Sequence, residues 1–324
     1  MIVVTGGAGF IGSALVWKLN QLGEEEILIV DELGKEEKWK NLPGIKFIDI
    51  YHPNEFIELI LEDAVPFEIE AILHMGACSS TTEKDADFLI RNNYHYTQDL
   101  AKYSLTHRIK FIYASSAATY GDGSQGYDDV ENELHKLRPL NMYGYSKHLV
   151  DLWLHKMGMN EEVVGLKFFN VFGPNEYHKD DMRSVIHKSY GQILETGKVK
   201  LFKSYKDEYK DGEQMRDFIY IKDVVDMTLY FLQNPEINGL YNIGTSKART
   251  WVDLVTAVFN AMDKPVDIEF IDMPEHLKEK YQYFTQANID KLRNAGYTKS
   301  ISSLEDGITD YVQNYLMKNA YLES

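Results

Sequence analysis

Apolar residues recur along this 324-residue chain in two alternating rhythms. Short aliphatic and β-branched runs read as buried strands, and longer stretches with apolar positions three and four apart read as helices. Residues 1–4 (MIVV) form the first strand, and a helix follows through Ile11, Leu15, Val16 and Leu19. Further strands are predicted at 26–31, 45–50, 69–77, 109–121 and 163–174. Between them lie helices from near Asn54, over 86–107 and from Tyr143, and 122–138 reads as an acidic surface loop. Strands alternating with helices require crossovers, which make the sheet parallel and doubly wound, an α/β architecture. From about residue 175 the alternation loosens. Helices are expected at 181–195, 223–234, 251–261 and 303–317, strands at 239–244 and 266–271, and a tyrosine-rich loop before a helix capped by Gly296. The expected domains are therefore 1–174, mainly dinucleotide-binding, and 175–324, mainly a smaller α/β substrate domain. Residues near 223–250 are expected to return to the main sheet.

The turn after the first strand, TGGAGFIG, gives this pattern a chemistry. Gly7, Gly9 and Gly12 fit the spacing G-x-G-x-x-G, and Gly6, Gly9 and Gly12 fit G-x-x-G-x-x-G. Between strand and helix, either spacing lets a pyrophosphate approach the free N–H groups of the helix start, as in a Rossmann-type fold. Asp31 lies at the end of the second strand, where a carboxylate takes ribose hydroxyls and favours NAD. Lys35 and Lys38 follow, and either ammonium could meet a 2′-phosphate instead. Asp49 could accept from an adenine amino group or cap the helix near Asn54. Gly76 and Ala77 would let a cofactor pass close to the backbone. His74 reads as a packed histidine rather than a base, and Cys78, with no base nearby in sequence, not as a nucleophile. Asn92 and Asn93 interrupt their helix with amides that need partners.

Composition narrows the classes. The formal charge of −16 argues against a nucleic-acid surface while leaving room for a local basic pocket. The single cysteine excludes an intramolecular disulfide and fits a reducing compartment, and no metal is needed to stabilise a core of this size. No signal peptide and no run of 18 apolar residues is evident, so a cytoplasmic protein without membrane contact is expected. The methionines and tryptophans read as core or interface filling.

Tyr143 and Lys147 are four residues apart at a helix start and so share a face. A phenol is a poor base at neutral pH, but a neighbouring ammonium and a cationic nicotinamide ring both favour phenolate. A lowering by two to three units corresponds to roughly 3–4 kcal/mol. Ser116, at a hydroxyl-rich strand end, could hold a substrate hydroxyl toward that phenol. Lys179 would be a second proton donor or acceptor if it faces the ligand. Lys188, Lys203 and Arg216 are candidate phosphate ligands, with Arg216 favoured for its planar fork.

The stretches TGGAGFIG, YASSAATYG, YGYSK and FFNVFGP resemble the extended short-chain dehydrogenase/reductase family over nearly the whole chain. GACSSTTE, NVFGPNEYHK, MRDF and YQYFTQANI are similar to its branch that epimerises ADP-heptose at C6″ for lipopolysaccharide core synthesis. The resemblance implies catalysis by Tyr143, Lys147 and Ser116, with Lys179 as the second acid/base. It implies a tightly held NADP, with NAD possible, contacted by Gly6, Gly9, Phe10, Ile11, Gly12, Asp31, Glu32, Lys38, Met75, Gly76, Ala77, Cys78, Ser79, Asn92, Tyr143, Lys147, Val171 and Lys179. Substrate positions would be Ser116, Asn170, Asp181, Lys188, Phe202, Lys203, Ser204, Tyr205, Arg216 and Tyr281, in a homo-oligomer. Glu32 and Pro53 depart from the pattern expected for NADP, Lys188 replaces an expected histidine, and 205–214 is longer than usual. Another nucleotide-sugar epimerase, a 4,6-dehydratase or a non-catalytic dinucleotide sensor are the alternatives; Ala117 and Ala118 lack the carboxylates a dehydratase uses.

Overall fold

The computed structural model describes residues 1–278 and 281–323. Its strands are β1 (Ile2–Thr5), β2 (Ile27–Val30), β3 (Asp49–Tyr51), β4 (Ala71–His74), β5 (Lys110–Ser116), β6 (Val164–Phe168), β7 (Asn170–Phe172), β8 (Val199–Phe202), β9 (Met215–Tyr220), β10 (Gly239–Ile243), β11 (Ala248–Thr250) and β12 (Ile268–Ile271). The α-helices are α1 (Phe10–Gln21), α2 (Pro53–Leu61), α3 (Ala86–Leu89), α4 (Tyr96–His107), α5 (Met142–Lys156), α6 (Val185–Thr196), α7 (Ile221–Gln233), α8 (Trp251–Ala261), α9 (Glu275–Lys278), α10 (Asp290–Asn294) and α11 (Leu304–Asp310).

Seven strands form one sheet in the order β10-β6-β5-β4-β1-β2-β3, every neighbouring pair parallel. Alternate side chains bury on opposite faces: Val3, Val30, Phe111 and Tyr113 pack with α2, α4 and α5, and Val4, Ile29 and Ile112 with α1 and α7. Burial on both faces explains why these strands read as continuous apolar runs. Each such aliphatic side chain contributes about 1.5–3 kcal/mol. The order reverses between β1 and β4, which opens a crevice beyond their carboxyl ends. Among the described residues no helix is long and apolar enough to cross a membrane.

Several expected elements differ. The third strand shrinks to 49–51 because it is an edge with only Leu28–Val30 to pair against. The predicted strand 163–174 breaks at Phe169, where Val171 N–H turns back to the Phe169 carbonyl (2.9 Å). β7 then leaves the main sheet and pairs with β9, which also pairs with β11. The helix predicted from 181 begins at 185, since Ser184 caps it and 177–182 is a 3-10 stretch. The loop 122–138 is not all surface: Leu134 and Leu137 are buried, and Asp129 accepts from Asn242 N–H (2.8 Å). Helix 86–107 contains a π-helical turn over Ile90–His95, and 303–317 contains another over Tyr311–Tyr315. The second helix is capped by His52, whose ring accepts from Asn54 N–H, and not by the exposed Asp49. Strands β8 and β9 lie in a segment where interleaved Lys, Tyr and Asp hide the alternation, and β11 is only three residues long. α7 leads back to β10, the seventh strand of the sheet.

Candidate active site

The glycine turn is organised around the Gly6 carbonyl. Gly9 N–H donates to it (2.9 Å), and a Cβ on Gly12 would lie 2.0 Å from it. Gly6 itself has φ +67° and packs so closely on Gly76 that a Cβ would meet the Gly76 Cα at 2.7 Å. The 6-9-12 spacing is thus the one whose members touch; Gly7 packs instead on Ile29 and Val4. Gly9 caps α1 with no side-chain acceptor, and no acidic residue occupies the first turn. Phe10, Ile11 and Gly12 begin a helix end that an anionic diphosphate can complete.

Asp31 is buried against this turn. Its carboxylate accepts from Ala8 N–H (2.9 Å), Glu32 N–H (2.8 Å) and Lys38 Nζ (2.6 Å), while Glu32 is exposed. Lys38 also reaches the Glu32 carbonyl (3.2 Å). The cationic and anionic candidates for the adenosine end therefore form one pair.

Met75, Gly76, Ala77 and Cys78 leave β4 half-buried, and Ser79 is exposed. His74 is a packed histidine. Thr97 Oγ1 donates its one proton to the Asn93 carbonyl (2.6 Å) and so accepts from His74 Nε2–H (2.8 Å). This leaves Nδ1 of the neutral ring to accept from Thr5 Oγ1 (2.6 Å), itself the acceptor for Gly76 N–H. Burial, and the nearby Lys147 charge, hold the ring neutral with a pKa lowered to about 3. Asn93, within the π turn, clasps Cys78 by both backbone groups (2.9 Å each) and donates to Ser146 Oγ (3.0 Å). Asn92 only donates to Asn93 (3.0 Å). The structurally committed amide is therefore Asn93, a residue that sequence spacing did not single out from its neighbour.

Tyr143 sits in the first turn of α5, where Asn141 caps by accepting from Gly144 N–H (2.8 Å). Gly144 lets this turn lie against the Ala117–Tyr120 turn: a Cβ there would stand 2.7 Å from the Ala118 carbonyl oxygen. Ser116 faces the Tyr143 phenol and draws its pKa down, but burial prevails and raises it. Desolvation of the phenolate exceeds what the protein side chains alone supply, so the expected lowering falls to the cationic nicotinamide ring. Lys147 is buried, donates to the Ala114 carbonyl (2.8 Å), and has its pKa lowered by burial to about 8. Cys78 is near enough to influence both Tyr143 and Lys147.

Lys179 lies over the Phe10 ring, 5.4 Å from its centroid, and so reaches the glycine turn. Burial lowers its pKa and Glu176 opposes that. Val171 is half-buried and Asn170 exposed at the neighbouring β7. Arg216 is buried without an ion pair among the described residues. Its guanidinium lies 5.4 Å from the Tyr281 ring and 5.7 Å from Trp251, and Trp251 Nε1–H donates to Tyr281 (3.0 Å). Phe202 stands edge-on to Tyr281. Trp251 was read from sequence as filling; it is part of this cationic, aromatic patch. Arg216 donates to the Gln282 carbonyl and the Gln282 amide to the Gly121 carbonyl, which ties the patch to the Ser116 turn. Lys203 and Tyr205 both bind Asp272 (3.2 and 3.1 Å), and Ser204 N–H donates to Asp211 (2.7 Å). Lys188 is exposed and donates to the carbonyl of exposed Asp181 (2.6 Å), with no contact to Arg216.

Residues 2–244 match the model of the NAD dependent epimerase/dehydratase family. An ADP-L-glycero-D-manno-heptose-6-epimerase of Nitratidesulfovibrio vulgaris is 56% identical over 316 residues, covering 98% of each chain. One from Fusobacterium nucleatum is 53% identical over 332 aligned positions, covering 99% of this chain and all of that one. The solved Helicobacter pylori ADP-L-glycero-D-manno-heptose-6-epimerase superposes with TM-score 0.79 at 28% identity, covering 97% of this chain and 95% of that one.

Proposed function

The chain belongs to the NAD dependent epimerase/dehydratase family, and from that premise we propose that it interconverts ADP-D-glycero-D-manno-heptose and ADP-L-glycero-D-manno-heptose. It is an epimerase whose relatives over nearly the full length carry that activity in their names. The observation that supports the reading is the meeting of Ser116, Tyr143 and Lys147 near Cys78 at the β4 exit, whose Gly76 packs on the glycine turn.

The carbon to be inverted bears a hydroxyl and no adjacent carbonyl, so simple deprotonation at neutral pH is closed to it. A bound nicotinamide dinucleotide supplies reversible hydride exchange at C6″. The uncapped start of α1, at Phe10 and Ile11, fits its diphosphate, and Asp31 with Lys38 fits its adenosine end; we assign NADP, through Lys38. Tyr143 takes and returns the hydroxyl proton, Ser116 orients that hydroxyl, and Lys147 supports the phenolate. Lys179 serves the opposite face of the sugar. Arg216, with no carboxylate partner among the described residues, takes the ADP diphosphate, with Tyr281 and Phe202 around it, and so holds a substrate part that does not react.

Incubation with ADP-D-glycero-D-manno-heptose, followed by NMR of the C6″ configuration, tests the activity; an unchanged substrate refutes it. Mass spectrometry of nucleotide released from the purified protein tests the cofactor: NADP is expected, and NAD alone overturns the assignment to Lys38.

A further inference from the structure

Behind the candidate site lies a polar cluster buried from solvent. Asp151 and Lys167 form an ion pair at 2.7 Å with both side chains 0% exposed. Asp151 also accepts from Tyr113 (2.9 Å) and Ser115 (2.8 Å), both on β5. Between those two residues stands Ala114, whose carbonyl receives Lys147. Lys167, on β6, donates in addition to Thr119 Oγ1 (2.5 Å), which donates to the Ser116 carbonyl (2.8 Å). Asp151 is four residues beyond Lys147 and eight beyond Tyr143, on the same face of α5.

A buried ion pair is a poor stabiliser compared with apolar residues of equal volume, because both charges lose their hydration. We propose that Asp151 and Lys167 are positioning residues, which lock β5, the Ser116 turn and α5 into the one arrangement that brings Ser116, Tyr143 and Lys147 together. The proposal rests on the roles given to those three residues above.

The arrangement has an electrical consequence. The groups facing Lys147 are Asp151 and Tyr143 on its own helix, and Cys78 and His74 at the β4 exit. Asp151 in turn is faced by Lys167 on β6, Tyr113 on β5, and His148 and Tyr120. Both histidines are held neutral by burial, at about 3 and about 4. Asp151 is therefore the carboxylate that helps Lys147 keep its proton.

The test is the double variant Asp151→Asn/Lys167→Met, which removes both charges and leaves neither alone. Thermal unfolding close to wild type is expected, with kcat reduced about tenfold, KM within about twofold, and the alkaline limb of kcat moved about one pH unit downward. NMR of ζ-15N-lysine, assigned with Lys147→Met, should show Lys147 itself titrating lower, without substrate present. Superimposable pH profiles and Lys147 titrations overturn the proposal. Should the double variant not fold, Thr119→Val breaks only the bridge to Ser116. It should lower kcat with Thr119→Ser restoring it, and wild-type kcat in Thr119→Val overturns the proposal. A wild-type protein that does not epimerise ADP-heptose would refute the functional reading, and the lysine titration would still decide the pair.

Discussion

Tyr143 and Lys179, the two groups proposed to handle protons, stand on different kinds of support. Tyr143 occupies a capped helical turn, with Gly144 against Ala118 and Lys147 donating into β5 across 33 residues of sequence, so its position follows from its own helix and the neighbouring strands β5 and β6. Lys179 occupies a 3-10 stretch broken at Asp180 (φ 42°, ψ −118°). That stretch is held by distant parts of the chain. Asn175, at φ 75°, donates to Ser13 Oγ (2.9 Å) and accepts from Leu322 N–H (3.0 Å), its carbonyl accepts from Asn41 (3.1 Å), and Tyr177 donates to the Ala320 carbonyl (2.8 Å). The difference separates a base held by its own helix and the neighbouring strands from one held by contacts to both ends of the chain.

The largest expected effect is on the rigid side. Tyr143→Phe should lower kcat by about 10²–10⁴-fold while the bound nucleotide is retained; turnover within a few-fold of wild type would remove the phenol from the chemistry. Lys179→Met should cost about 10²-fold in kcat. If it instead lost nucleotide without a defect at saturating substrate, the contrast would collapse into a binding role at Phe10. Gly144→Ala should push α5 from the Ser116 turn, costing about 1–3 kcal/mol in urea unfolding, with kcat falling alongside. Unaltered kcat would show that the close approach to Ala118 is dispensable.

The smallest effect concerns His74, which braces the π turn behind the rigid side. Its folded pKa of about 3 lies below the ordinary 6.5, so the unfolded chain binds the extra proton between those values. Its contribution to stability therefore falls as pH drops from 6.5 toward 3, by at most about 1.4 kcal/mol per pH unit. Unfolding of His74→Gln should show a shallower loss over that window than wild type, and equal slopes would mean that another group carries the acid sensitivity.

What could be read from sequence follows the same division. The parallel strands were legible because burial on two faces leaves continuous apolar runs, and the glycine turn because backbone contact leaves a spacing. The choice between Gly6 and Gly7 needed Gly76, seventy residues away. Asn92 and Asn93 were both legible as amides interrupting a helix, but which of them holds Cys78 was not, because a π turn shifts the inward face by a residue and no 3.6-residue pattern reveals it. Arg216 was legible as a cation, but Trp251 and Tyr281 reach it from separate segments. The Tyr143 phenol was expected to titrate low beside its lysine neighbour and a nicotinamide ring; burial, which spacing does not report, raises it in the protein alone. The roles of Ser116 and Lys179 were left open by position alone and named by resemblance, and the fold adds where each one stands.

The central claim is that C6″ is inverted by removal and return of the same hydrogen, with Tyr143 and Lys179 moving only the hydroxyl proton. ADP-D-glycero-D-manno-heptose carrying deuterium at C6″, converted in ordinary water and examined by NMR, tests this directly. The account predicts an epimerised product that keeps its deuterium at C6″, and deuterium replaced by solvent hydrogen would contradict it.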